Sequence, residues 1–154
     1  MLAACPQAAQ QKSSTGWYPL HLAAANQASV KVVKALLAVY ADAAQKKDSY
    51  GWYPLHLAVT EQASVEVVEA LLNAYPQAAQ QKDRDGSYPL HLAARNQASV
   101  EVVEALLAAY ADAAQDEDTS GTYPLLQWAP LHWAAAARTS VEVVVRSEVN
   151  NFEK

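Results

Sequence analysis

Residues Gly51-Trp52-Tyr53-Pro54-Leu55-His56-Leu57-Ala58 return 35 positions later as Gly86-Ser87-Tyr88-Pro89-Leu90-His91-Leu92-Ala93. The same step carries Gly16 and Gly121, Tyr18 and Tyr123, and the Gln-Ala-Ser-Val segments that begin at Gln27, Gln62 and Gln97. Tyr40, Tyr75 and Tyr110 keep it as well. Leu2 to Gly16 aligns with Leu72 to Gly86, so the chain is in phase from its first residues, and Cys5 falls on the Tyr75 phase as a core position. A phase held over four cycles means that the fold has to be read one repeat at a time.

Two helices and a turn fill each cycle. Pro54 suits the first position of a helix, where its missing N–H costs nothing, and Leu55, Leu57 and Ala58 make that helix short and apolar. Glu61-Gln62-Ala63 then connects to Ser64, which stands at the N-cap of a second helix; Ser29, Ser99 and Ser140 share its phase. Val65, Val68, Leu72 and Tyr75 follow at steps of three, four and three, flanked by Val67 and Leu71. That is a wide helical stripe, and it puts Leu71 and Leu72 in the core. Glu66 favours the positive end of the helix dipole. Pro76 ends the helix near Tyr75, and Lys82 to Asp85 leads into Gly86 as an exposed turn. A helix pair of this size cannot bury its own apolar faces, so the units must stack into an all-α solenoid.

With these residues in place, the chain resembles the ankyrin repeat family. Asp-x-x-Gly-x-Tyr-Pro-Leu-His-Leu-Ala, at Asp48 to Ala58 and Asp83 to Ala93, is similar to its Thr-Pro-Leu-His-x-Ala signature. Val67 to Leu72 and Val102 to Leu107 match the family's second helix. The period is 35 rather than about 33, with the extra length in the stretch after the second helix that begins Tyr75-Pro76. Tyr stands where the family has Thr, and Ala28, Ala63 and Ala98 stand where it usually has Gly between the helices. The resemblance implies a helix-turn-helix repeat solenoid that binds another protein through finger-like turns and a concave face. It also implies that the motif imidazoles bridge neighbouring turns.

Composition narrows the alternatives. The chain has 154 residues, 33 of them Ala, with sixteen acidic against eleven basic side chains and a net charge of −5. A nucleic-acid footprint is not expected from that balance, nor is a membrane span, because the apolar runs fall far short of about 20 residues. One Cys excludes an internal disulfide framework and any multi-Cys zinc site. All four His (His21, His56, His91 and His132) lie in the Pro-Leu-His motif in equivalent environments. They read as structural, so no catalytic residue, metal or cofactor is expected. Glu66 and Glu69 recur as Glu101 and Glu104, while the first unit carries Lys31 and Lys34, which should face Glu66 and Glu69 across an interface. Residues 1–50 sum to +3 and residues 51–120 to −8.

The varying positions point to the partner surface. In the resemblance they map to fingers and concave face: Trp17, Trp52, Tyr50 and Arg84 at the turns, and Thr60, Glu61, Arg95 and Asn96 after the first helix. Trp, Tyr and Arg dominate interface energetics. Trp17, Tyr50 and Trp52 are expected to form one aromatic surface for an acidic partner with an apolar anchor; the alternative is that each indole lies down on the neighbouring turn as a lid. Trp128 joins this set, because Pro130-Leu131-His132 restarts the motif six residues late and the insertion carries the ring outward.

The expected organisation is a partial unit at 1–15, units at 16–50, 51–85 and 86–120, and an irregular unit or cap at 121–154. Met1 and Leu2 enter partway through a second helix, so the chain is expected to be a piece of a longer array, monomeric, intracellular and cytoplasmic. The expected function is non-catalytic protein binding. Competing readings are a targeting segment of a larger enzyme such as a kinase or ligase, and a structural spacer.

Overall fold

A computed structural model describes residues 6–124, and within them every regular element is a helix, with no strand. Helix α1 spans Pro6–Gln10, α2 Pro19–Ala25, α3 Val30–Val39, α4 Pro54–Thr60, α5 Val65–Ala74, α6 Pro89–Arg95 and α7 Val100–Ala109. Short α2, α4 and α6 pack on one another in series, as do the longer α3, α5 and α7, and each short helix packs on the long helix that follows it. The result is two helical layers stacked along the chain, the solenoid expected from the periodicity. Cys5, Trp128, Pro130, His132 and Ser140 lie outside the described residues.

The core is a set of columns 35 residues in pitch. Val33, Val68 and Val103 are fully buried, and Leu20, Leu55 and Leu90 nearly so. Leu71 and Leu72 are 2% and 8% exposed, both in the core as expected. The extra residues of the 35-residue period form tight 3-10 turns at Ala41–Gln45, Pro76–Gln80 and Ala111–Ala114. Each tucks two alanines under the long helices: Ala43 and Ala44, Ala78 and Ala79, Ala113 and Ala114.

The connection between the helices turns on one left-handed residue. It is the glutamine before the alanine: Gln27, Gln62 and Gln97 have φ of 53°, 56° and 55°. The Ala63 amide bonds the Ala58 carbonyl at 2.8 Å and the Gln62 amide bonds that of Val59 at 3.2 Å, the six-to-one and five-to-two pattern that closes a helix on a left-handed residue. Each glutamine then turns its side chain to use. Gln27 Nε2 donates to the Glu61 carbonyl at 2.6 Å, and Gln62 Nε2 to the Asn96 carbonyl at 2.7 Å, linking successive connections. Ser29, Ser64 and Ser99 do occupy the N-cap, but none makes a side-chain cap bond. The Ser64 hydroxyl instead favours the ionised Glu66 carboxyl, whose pKa is lowered.

Lys31 and Lys34 do not pair with Glu66 and Glu69. Among the described residues the ion pairs are Lys82–Asp116 at 3.7 Å and Arg95–Asp118 at 3.0 Å.

Two stability measurements follow. Leu71→Ala should cost about 2–5 kcal/mol in urea unfolding, as a cavity in a closed column. At Gln62, Ala keeps the left-handed strain and loses the link to Asn96, whereas Gly loses the link but relieves the strain, so Gln62→Ala should be less stable than Gln62→Gly by about 1 kcal/mol.

Candidate functional site

The turns between units are built on an aspartate that the sequence reading treated as exposed. Asp48, Asp83 and Asp118 are buried, each three residues before a glycine. Asp48 Oδ1 accepts the amides of Tyr50 and Trp52, both at 2.8 Å, and the Asp48 amide donates to the Trp52 carbonyl at 2.9 Å. Asp83 and Asp118 hold their own turns in the same way, through Asp85 and Ser87 and through Ser120 and Thr122. Burial works to raise the Asp118 carboxyl, but the Thr122 and Ser120 amides, with His91 and Arg95, outweigh it and hold the pKa low. The closing glycine is required. Gly86 has φ +71°, and a Cβ on it would meet Thr119 Cγ2 at 2.8 Å. Adjacent turns are also tied to each other, Ser49 Oγ to the Thr15 carbonyl and Thr119 Oγ1 to the Asp85 carbonyl, both at 2.6 Å.

The second oxygen of each aspartate separates the expected partner-binding residues. Trp17 is half-buried against the core, and its indole Nε1–H donates to Asp48 Oδ2 at 2.9 Å. Trp52 is half-buried too, its ring 6.5 Å from the His56 ring. Both indoles are therefore half-buried, and of the three rings Tyr50 alone is exposed. Arg95 is committed to Asp118. Asn96 turns its side chain back to the Leu92 carbonyl at 2.9 Å, and Thr60 is half-buried with its Oγ1 shielded from solvent. Glu61 is exposed, with its carbonyl taken by Gln27.

Besides Glu61, two of the expected residues remain outward and outside any ion pair. Tyr50 is 61% exposed, the most exposed large apolar side chain among the described residues. Arg84 is exposed and takes part in neither ion pair; its stem crosses Gly51, where a built Cβ would lie 3.3 Å from Arg84 Cγ. The guanidinium is thereby held next to the Tyr50 turn.

Behind the fingers sit the motif imidazoles. His56 Nδ1 accepts the Tyr53 amide at 3.4 Å, and His91 Nδ1 accepts that of Tyr88 at 3.2 Å. With Nδ1 an acceptor, the proton sits on Nε2. It is donated to the Gln81 carbonyl at 3.0 Å from His56 and to the Asp116 carbonyl at 2.9 Å from His91. His21 makes the same bond to the Tyr18 amide at 3.2 Å, while its Nε2 has no hydrogen-bond partner. The motif tyrosines stack on these rings at 5.6–5.8 Å. Their hydroxyls reach forward, Tyr53 to Gln81 and Tyr88 to Asp116. Burial lowers the pKa of His21, His56 and His91, and takes His56 to about 4 despite the opposing Gln81 carbonyl. Among the described residues no three ligating side chains converge on a metal position, and no helix is long and apolar enough to cross a membrane.

The sign of the pH effect follows. A histidine whose folded pKa lies below the unfolded 6.5 binds fewer protons in the native state, so stability is full above about 6.5 and falls as the pH drops toward 4. His56 alone should account for about 3 kcal/mol of that loss, and His21 and His91 act in the same direction. Urea midpoints taken across this range check it, and His56→Gln, though less stable at neutral pH, should lose less on acidification. Zinc titration should show no site that this variant removes. Trp17→Phe keeps the ring but leaves Asp48 Oδ2 unanswered, and should cost about 1–3 kcal/mol.

A search of curated proteins finds no match to the chain. A family model for ankyrin repeats (3 copies) matches residues 1–80 and again residues 64–151, almost the whole sequence. Ankyrin repeats are generally modules of protein–protein interaction. With the stacked helix pairs, the buried motif imidazoles and the glycine-closed fingers all in register, the chain belongs to the ankyrin repeat family.

Proposed function

We propose that this protein is a non-catalytic binding module whose partner protein docks on the fingertip patch of Tyr50 and Arg84. The observation that carries the reading is the contrast among the fingers. Trp17, Trp52 and Arg95 are held against the fold or its carboxylates, whereas Tyr50 projects into solvent beside a guanidinium with no carboxylate of its own. A tyrosine offers a large amphipathic contact with little rotamer entropy to lose, and an unpaired arginine selects a carboxylate. The partner is therefore acidic at the contact, with an apolar anchor for the ring. This preference rests on Arg84 and not on the overall charge of residues 1–50, since Lys31 and Lys34 stand on α3 in the other layer.

The test uses a partner recovered from the native lysate by affinity capture, with binding then measured on purified proteins. Tyr50→Ala and Arg84→Ala together should weaken binding by about 2 kcal/mol or more with little change in melting temperature. Trp17→Ala with Trp52→Ala should chiefly lower the melting temperature. The opposite pattern would return the indoles to the interface and remove Tyr50 and Arg84 from it.

A further inference from the structure

We propose that the leads into the first three fingers form a lysine ladder, which takes an extended acidic segment of the partner with a carboxylate at every third residue. Lys12, Lys47 and Lys82 follow one another at the 35-residue step, four positions before Gly16, Gly51 and Gly86. All three are exposed, and Lys46, half-buried, adds a second charge to the middle rung. Lys12, Lys46 and Lys47 enter no ion pair among the described residues. Lys82 Nζ stands 3.7 Å from Asp116, with its side chain 40% exposed.

Aromatic faces hold two of the rungs in place. Lys47 Nζ lies 5.1 Å from the centre of the Tyr53 ring and Lys82 Nζ 4.7 Å from that of Tyr88, within the range of a cation–π contact. Such a contact uses the charge and leaves ammonium N–H groups for a carboxylate. The rungs are neighbours in space. The hydroxyl of Tyr53, under Lys47, reaches Gln81 Oε1 at 3.4 Å, and Gln81 directly precedes Lys82. Lys12 opens the finger whose Thr15 carbonyl accepts the hydroxyl of Ser49, two residues beyond Lys47. At the fourth position the sign reverses: Glu117 stands there, exposed, beside Asp116. The ladder therefore has three rungs and an acidic stop.

The pitch of the ladder selects the conformation of its ligand. Packed helices lie about 8–10 Å apart, and the rungs repeat with the helices that carry them. A polyproline-type segment has three residues per turn and rises about 3.1 Å per residue, so its positions i, i+3 and i+6 share one side at steps of about 9 Å. An α-helix brings the same positions to steps of about 4.5 Å, too short to engage successive rungs. Three carboxylates on an extended segment thus meet Lys12, Lys47 and Lys82 in step. A nucleic acid would run on into Asp116 and Glu117, on a chain of net charge −5. The ladder deepens the fingertip reading and rests on its acidic partner. Tyr50 follows Lys47 by three residues and Arg84 follows Lys82 by two, so one segment can span both.

The probe is a capped peptide of three Glu-Pro-Pro units, titrated into the full chain at low ionic strength, where exposed charges are little screened. Its isomer of three Glu followed by six Pro has the same charge and composition without the spacing, and three Gln-Pro-Pro units are the neutral control. NMR shifts of the Lys47 and Lys82 amides and of the Tyr53 and Tyr88 rings give the dissociation constants. The spaced peptide should bind at least about threefold tighter than the isomer, and the neutral peptide should not saturate. Lys47→Gln with Lys82→Gln should weaken it about fivefold or more. Lys31→Gln with Lys34→Gln, which removes the same charge from α3, should leave it within about twofold. Equal affinities for the two isomers, equal losses in the two double variants, or no saturable binding would overturn the ladder. So would tighter binding of a four-nucleotide oligothymidylate, whose three phosphates match the peptide in charge. The isomers are compared on the unaltered chain, so that result stands even where a variant is unstable. No probe carries an apolar anchor for Tyr50, so the ladder can fail while the affinity lost in Tyr50→Ala with Arg84→Ala remains, and the reverse.

Discussion

The fold rests on a constraint placed on a neutral imidazole. His56 begins its helix from inside the protein, with one ring nitrogen holding the Tyr53 amide and the other donating to a carbonyl that belongs to the approach of the next finger. The first bond does not survive a second proton on the ring, which would occupy Nδ1, and the second forms only once the following segment has folded back. The histidine therefore couples the start of one helix to the strand-like lead of the next turn, and the tyrosine stacked on it adds a contact to the side chain of the same Gln81. A short helix such as α4, with seven residues, has little stability of its own. It holds its place because both ends are fastened to neighbours.

What was legible in the sequence is what period and proline encode. The three-four-three spacing of Val65, Val68, Leu72 and Tyr75 specified α5 and its buried face, and Pro54 and Pro76 marked its surroundings, because these are local properties of a 3.6-residue helix. The misreadings are all long-range. Asp83 sits in a charged, turn-like stretch and looks solvated; its burial follows from the way Ser87 and the packed units close over it. The signal available was positional: an aspartate three residues before three of the four glycines, at Asp48, Asp83 and Asp118. Lys31 and Glu66 share a phase yet do not meet, since phase fixes the face of a helix but not the reach of a flexible side chain.

The candidate site was legible as a set of varying positions and not as a set of free ones. Trp17 and Tyr50 look alike in a string of letters, both aromatic and both at a finger. Only the coordinates show that one is spent on Asp48 and the other is not. The same distinction separates Arg95 from Arg84. Variation among repeats thus mixes two kinds of residue: those that complete the neighbour in alternative ways, and those released from that duty and open to selection by a ligand.

Most of the links between units end on a peptide carbonyl. Gln27 and Gln62 reach Glu61 and Asn96 through the main chain; Ser49 and Thr119 do the same to Thr15 and Asp85; the imidazoles do so to Gln81 and Asp116. A carbonyl is present whatever the side chain, so the joint makes no demand on the identity of the residue it meets. Where a side chain is the acceptor, it is the constant aspartate at the fingers, and Gln81 or Asp116 beneath the motif tyrosines. A gene segment encoding 35 residues could therefore be duplicated or deleted in register by unequal exchange, and the new junction would find its acceptors waiting. Such an array can change its length and its surface lettering on separate evolutionary clocks.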